Sequence, residues 1–373
     1  MLDRGGATLG RMSTSALAIA AGVAFGVVAH AGDVLAQVSF EGETIEWIVP
    51  SSPGGGTDTT TRILQPWFEQ YLPGNPTIVV NNIPGGGTIP GINYFWENAG
   101  PNGHMLLTMT TGSQTNYLFG AEAVDYVLPE FIALMGIPQG TFVYAQEDLG
   151  LSGAEDIGML IEAEGPFLYG AQTPTSAELR VMIAWDALGV NAQPVWGLAR
   201  GESRQGFMRH EFDLMYDTAS GWIAAGSEID HMTPLFTMGI ENEAGEIVRD
   251  PVAPDLPTFL EVYESYYGEP LSGIQYEAWY SMFSTAIMNS KGVALHPSTT
   301  PEVVEAYRQA IRDMMADPEF HVAMEAELGG YQMNIGPAAQ RSLVASTQIS
   351  PEVCAWIDEF LNTGFDADTA CDE

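Results

Sequence analysis

The chain has 373 residues, with 12 basic and 48 acidic side chains and a formal net charge of −36 at pH 7. Hydrophobic residues make up 46 %, which excludes wholesale disorder, and the length exceeds the ~250–300 residues at which single cores stop growing. A surface of this sign repels nucleic acid and anionic lipid, and it suits a salty medium that screens its self-repulsion.

Residues 1–36 read as a secretion signal. Arg4 and Arg11 supply a positive start, and an uncharged Ala/Val/Gly-rich stretch follows from Ser13 to Ala29. Small residues then suit cleavage after Ala31 or after Ala36. The apolar stretch is short for a membrane span and no basic cluster follows it, and no later run reaches the ~20 apolar residues of a spanning helix. The mature protein is expected outside the cytoplasm, in the periplasm.

From there short β-rich runs alternate with helical patterns, which predicts α/β layers. Strands are expected at 44–49, 77–80, 104–109, 141–144, 167–169 and 212–216. Thr175-Ser176-Ala177-Glu178 matches a capping box opening a helix over 177–188. Pro301 suits a first helical position, and Val304, Tyr307, Ile311 and Met314 or Met315 then recur at helical spacing.

Two glycine turns carry most of the functional information. Ser51-Ser52-Pro53-Gly54-Gly55-Gly56-Thr57-Asp58 follows the first strand, and Pro84-Gly85-Gly86-Gly87-Thr88 follows the second. A strand, a glycine turn and a helix start together aim unpaired backbone N–H groups and a positive dipole end at one point. Glycine removes the Cβ that would keep a ligand away from that backbone. Two such turns at neighbouring strand ends would cradle one carboxylate, with Thr57 and Thr88 as hydroxyl donors and Asp58 capping its helix or fixing a water or a ligand hydroxyl.

Competing chemistries lack their residues. There is no Gly-Lys-Ser/Thr, and neither glycine run completes G-x-G-x-x-G, because Thr59 and Pro90 fall where the last glycine should be. No G-x-S-x-G or H-E-x-x-H occurs, and the histidines are scattered. No enzyme, metal or cofactor is expected. Cys354 and Cys371 both lie near the C-terminus and could pair in an oxidising compartment.

The run from Val49-Pro50 through the glycines to Thr57, Asp58 and Arg62 resembles the opening motif of the solute-binding receptors of tripartite tricarboxylate transporters, the Bug family. Val79-Val80-Asn81-Asn82-Ile83-Pro84-Gly85-Gly86-Gly87 and Pro101-Asn102-Gly103-His104 resemble its next segments. Collinear pieces follow at 197–201, 212–217 and 256–261.

The resemblance implies a two-lobed Venus-flytrap fold of the type II-like periplasmic-binding-protein class, each lobe a mixed sheet flanked by helices. Lobe 1 would comprise 37–140 plus 240–373 and lobe 2 141–239, with crossings near 139–143 and 237–241. The protein would be a monomer that captures a small carboxylate, a di- or tricarboxylate or an aromatic acid, and delivers it to membrane permease subunits. Carried over by position, the first lobe would offer Gly55, Gly56, Thr57, Asp58, Gly86, Gly87, Thr88, Thr111, Gly112 and Ser113. The second would offer Thr173, Thr175, Ser176 and Asp217. Arg200 stands where the family has lysine, Pro66 and Pro90 interrupt its helices, and 239–250 reads as an insertion. Alternative roles are a ligand sensor for a membrane receptor kinase and, more remotely, an exported hydrolase.

Overall fold

The computed structural model describes residues 38–369 apart from 164, 227–231, 243 and 368. The expected secretion signal and Cys371 lie outside the described residues. The strands are β1 (Thr44–Val49), β2 (Thr77–Asn82), β3 (Met105–Thr110), β4 (Ile132–Ile137), β5 (Thr141–Gln146), β6 (Phe167–Gly170), β7 (Ala192–Val195), β8 (Leu214–Thr218), β9 (Met232–Thr237), β10 (Ile240–Glu241), β11 (Ile247–Val248), β12 (Lys291–Leu295) and β13 (Asn334–Ile335). The helices are α1 (Gly56–Tyr71), α2 (Ile89–Asn98), α3 (Thr111–Leu118), α4 (Ile157–Glu162), α5 (Leu179–Leu188), α6 (Arg200–Met208), α7 (Ala219–Ala225), α8 (Phe259–Tyr267), α9 (Gly273–Phe283), α10 (Pro301–Ala316), α11 (Pro318–Leu328), α12 (Pro337–Ala345) and α13 (Pro351–Phe365).

A six-stranded sheet has the order β13-β4-β12-β3-β1-β2. β1 pairs in parallel with β2 and β3, whereas β12 runs antiparallel between β3 and β4. Its central strands β3, β4 and β12 are buried on both faces, as a sheet covered twice by helices requires. Ile45 and Trp47 pack with Leu64, Phe68, Tyr307 and Ile311 on one face, while Ile48 packs with Ile92, Phe95 and Leu343 on the other. Pro301 opens α10, and the buried side chains of that helix include Val304, Tyr307, Ile311 and Met314, as the spacing predicts.

A three-stranded sheet of order β8-β5-β9 follows, reached through residues 138–140. Val143, Tyr216 and Phe236 join a core with Leu179, Ile183 and Trp185 of α5. That core also takes in Phe259, Trp279 and Ile357, from α8, α9 and α13. Residues 239–250 contain the β10–β11 hairpin.

Three local expectations are corrected. α1 continues through Pro66, held on either side by the buried Leu64 and Phe68, and Pro90 falls in the first turn of α2, where its missing N–H has no helical partner to lose. The Thr175–Glu178 capping box does not form: α5 begins at Leu179, and the Glu178 carboxylate pairs with Arg200 instead.

Candidate ligand-binding site

The first glycine turn is folded back on its own helix. Asp58 accepts the Gly54 N–H at 2.8 Å, the Asn82 amide at 2.9 Å and the Arg62 Nε at 2.9 Å. Burial pushes the Asp58 carboxyl up, but these donors outweigh it and hold the group below its ordinary value. Asp58 thus braces the turn and does not face the hollow described below. In the second turn Gly85, Gly86, Gly87 and Thr88 all take positive φ. The Thr88 conformation, at φ 86°, is a strained one for a residue with a branched Cβ.

The third element is the start of α3. Thr110 and Ser113 form a capping box there, the Thr110 N–H donating to Ser113 Oγ at 2.8 Å and the Ser113 N–H to Thr110 Oγ1 at 3.2 Å. From the start of α7, Ser220 Oγ donates to Gln139 Oε1 at 2.9 Å with the Gly56 carbonyl also in reach at 3.1 Å, and Gln139 Nε2 donates to Thr60 Oγ1 at 3.0 Å. This chain of bonds ties the start of α1 to the start of α7. A Cβ at Gly56 would come within 2.4 Å of Thr218 Oγ1, so glycine is what permits the approach.

These elements enclose a hollow of about 60 Å³. Of the expected residues, Gly55, Gly56, Thr57, Thr88, Thr111 and Gly112 line it. The others lie off its wall. Gly86 and Gly87 turn away, the Gly87 carbonyl accepting from Asn116 at 2.7 Å. Ser113 is used in the α3 cap, and Thr175 Oγ1 donates to Asn116 Oδ1 at 2.9 Å. Ser176 Oγ donates to the Thr173 carbonyl at 2.6 Å and to Glu178. The Thr173 hydroxyl is buried beside Gly87. Asp217 is ion-paired with Arg204 and accepts from Tyr144 Oη.

Sequence reasoning missed the cations. Arg180, Arg200 and Lys291 all line the hollow. Lys291, the single lysine of the chain, is 6 % exposed at the start of β12, in register with Thr110. Arg180 is 4 % exposed and reaches the Ala286 carbonyl at 3.0 Å, in the π-helical turn that follows α9. Arg200 pairs with Glu178 and donates to Tyr216 Oη, its guanidinium carbon 3.8 Å from the Tyr216 ring centroid. Arg180 approaches the same ring at 5.0 Å.

Burial, with Arg180 and Arg200 nearby, pushes the Lys291 ammonium down to about 7. Burial likewise lowers Arg180. It also acts to lower Arg200, but Tyr216, Glu178 and Asp217 reverse that and leave it raised. Burial pushes the Tyr216 phenol up to about 12 despite Arg200. The signal available in the sequence was scarcity: with only 12 basic residues, a solitary lysine within an apolar run is unusual.

No protein-family model and no curated protein sequence matches the chain. Solved structures do. The periplasmic binding protein BugD is 20 % identical over 86 % of this chain and 97 % of its own, with a TM-score of 0.65. MatC from Rhodopseudomonas palustris with bound malate is 16 % identical over 85 % of this chain and 98 % of its own, with a TM-score of 0.61. R. palustris Rpa4515 with adipate is 15 % identical over 86 % and 96 %, with a TM-score of 0.65. At such identities the likeness speaks to fold, and the fold is the two-lobed α/β architecture of the periplasmic binding proteins.

Proposed function

We propose that the protein is an extracytoplasmic solute-binding protein of the tripartite tricarboxylate type, which captures a small carboxylate and passes it to a membrane permease. The observation that carries this reading is the convergence, on one hollow, of the α1 and α3 starts with three cations, of which Arg180 and Lys291 are buried and Arg200 half-buried. Helix starts supply backbone N–H donors for an acid group, and the cations supply the charge complement. The malate and adipate in the two R. palustris structures support a carboxylate as ligand. Among the described residues no helix is long and apolar enough to cross a membrane, and no His/Cys/Asp/Glu cluster could hold a metal ion.

For the lobes we propose 37–140 plus 240–373 and 141–239 as the starting division, with α8, α9 and α13 reassigned to the second lobe; their shared hydrophobic core with β5, β8 and β9 supports that reassignment. Binding without bond chemistry is the proposed mechanism: a ligand that touches both lobes favours the closed state by its differential affinity. Isothermal calorimetry with mono-, di- and tricarboxylates and aromatic acids tests it. At least one carboxylate should bind and raise the melting temperature; silence across the panel would sink the reading.

A further inference from the structure

We propose that Lys291, Arg180 and Arg200 form a second anion subsite in the hollow, so that the ligand is a compact dicarboxylate with one acid group at the helix starts and the other on these cations. The inference rests on the carboxylate-capture reading above and narrows it.

Charge is the first argument. The charged residues that line the hollow are all cationic, and Glu178, on Arg200, is the carboxylate that answers them. Asp217 is already paired with Arg204. The Lys291 ammonium has no hydrogen-bond or ion-pair partner among the described residues, and Arg180 Nε and Arg200 Nη1 are buried without one. Buried cations are ordinarily paired, because leaving water uncompensated is costly. In a chain of net charge −36 with a single lysine, three cations at one hollow leave an excess of positive charge that one carboxylate would not neutralise. Two would.

Size is the second argument. A water needs roughly 10–15 Å³ of such space, so 60 Å³ holds a handful of water-sized groups. The register of Lys291 with Thr110, which caps α3, keeps the two subsites close. A chain of a few carbons suits subsites this close, and the bulkier citrate is the expected poorer fit.

Calorimetry on the intact protein compares malonate and succinate with butyrate, succinamate and citrate. Succinamate keeps the shape of succinate and removes one charge. The diacids should bind at least tenfold more tightly than succinamate and butyrate, with citrate weaker than succinate. Lys291→Met, checked for folding by circular dichroism, should lose at least fivefold for succinate and little for butyrate. Equal affinity of the wild-type protein for succinate and succinamate, a comparison that needs no variant, overturns the subsite while leaving carboxylate capture standing. Failure of every acid to bind overturns both.

Discussion

In the proposed subsite Lys291 would set the pH range over which an anion binds. Its ammonium is depressed to about 7 by burial and by Arg180 and Arg200, and Tyr216, Glu178, Asp217 and Tyr144 are the ionisable groups that act on the Arg200 guanidinium. A bound anion stabilises the charged form, so affinity should be fullest below pH 7 and fall as the free-state amine deprotonates above it. Calorimetry at pH 6 and pH 9 should show a loss of about tenfold, absent in Lys291→Met; a flat profile would contradict this. Asp250, packed against Gly140, gives a second titration. It is fully buried, accepts Tyr331 Oη at 2.7 Å, and burial raises its carboxyl to about 6. A raised carboxyl binds its proton more tightly folded than unfolded, so stability falls as pH climbs from about 4 to about 6. At about 1.4 kcal/mol per unit the contribution is roughly 3 kcal/mol. The difference in melting temperature between wild type and Asp250→Asn should therefore vary across pH 4–6 and be constant above it.

At the scale of elements, the site is a meeting of helix starts, and Gly56 decides how close they come. An alanine there would press on Thr218 Oγ1 at 2.4 Å and Ser220 Oγ at 3.0 Å. Overpacking of this kind costs about 1–3 kcal/mol, and it acts between α1 and the end of β8. Gly56→Ala should weaken ligand binding about tenfold while thermal stability without ligand changes less, read by calorimetry beside melting curves. The glycine turns were legible because their residues announce a backbone conformation. The cap of α5 was misread because Thr175 and Glu178 have the right spacing but are claimed by Asn116 and Arg200, more than twenty positions away or on another helix. β12 was missed because Lys291 and Gly292 dilute its apolar pattern, although it is central in the sheet.

For the whole molecule the governing quantity is the net charge of −36. An anionic ligand of the kind proposed would meet a net repulsion outside and a cluster of cations within the hollow, so salt should speed association by screening the first more than the second. Stopped-flow measurements from 50 mM to 1 M salt should show the association rate rising severalfold; a falling rate would mean the cations dominate at a distance. Composition and local pattern by themselves determined the α/β class and the strands that end in glycine turns, since each follows from neighbours along the chain. Which donors face the hollow, that α8, α9 and α13 complete the second core, and that Arg180, Arg200 and Lys291 meet there, only the tertiary structure decided. These cations lie at positions 180, 200 and 291 on three separate elements, and charge complementarity in space leaves no periodicity in sequence for a local reading to detect.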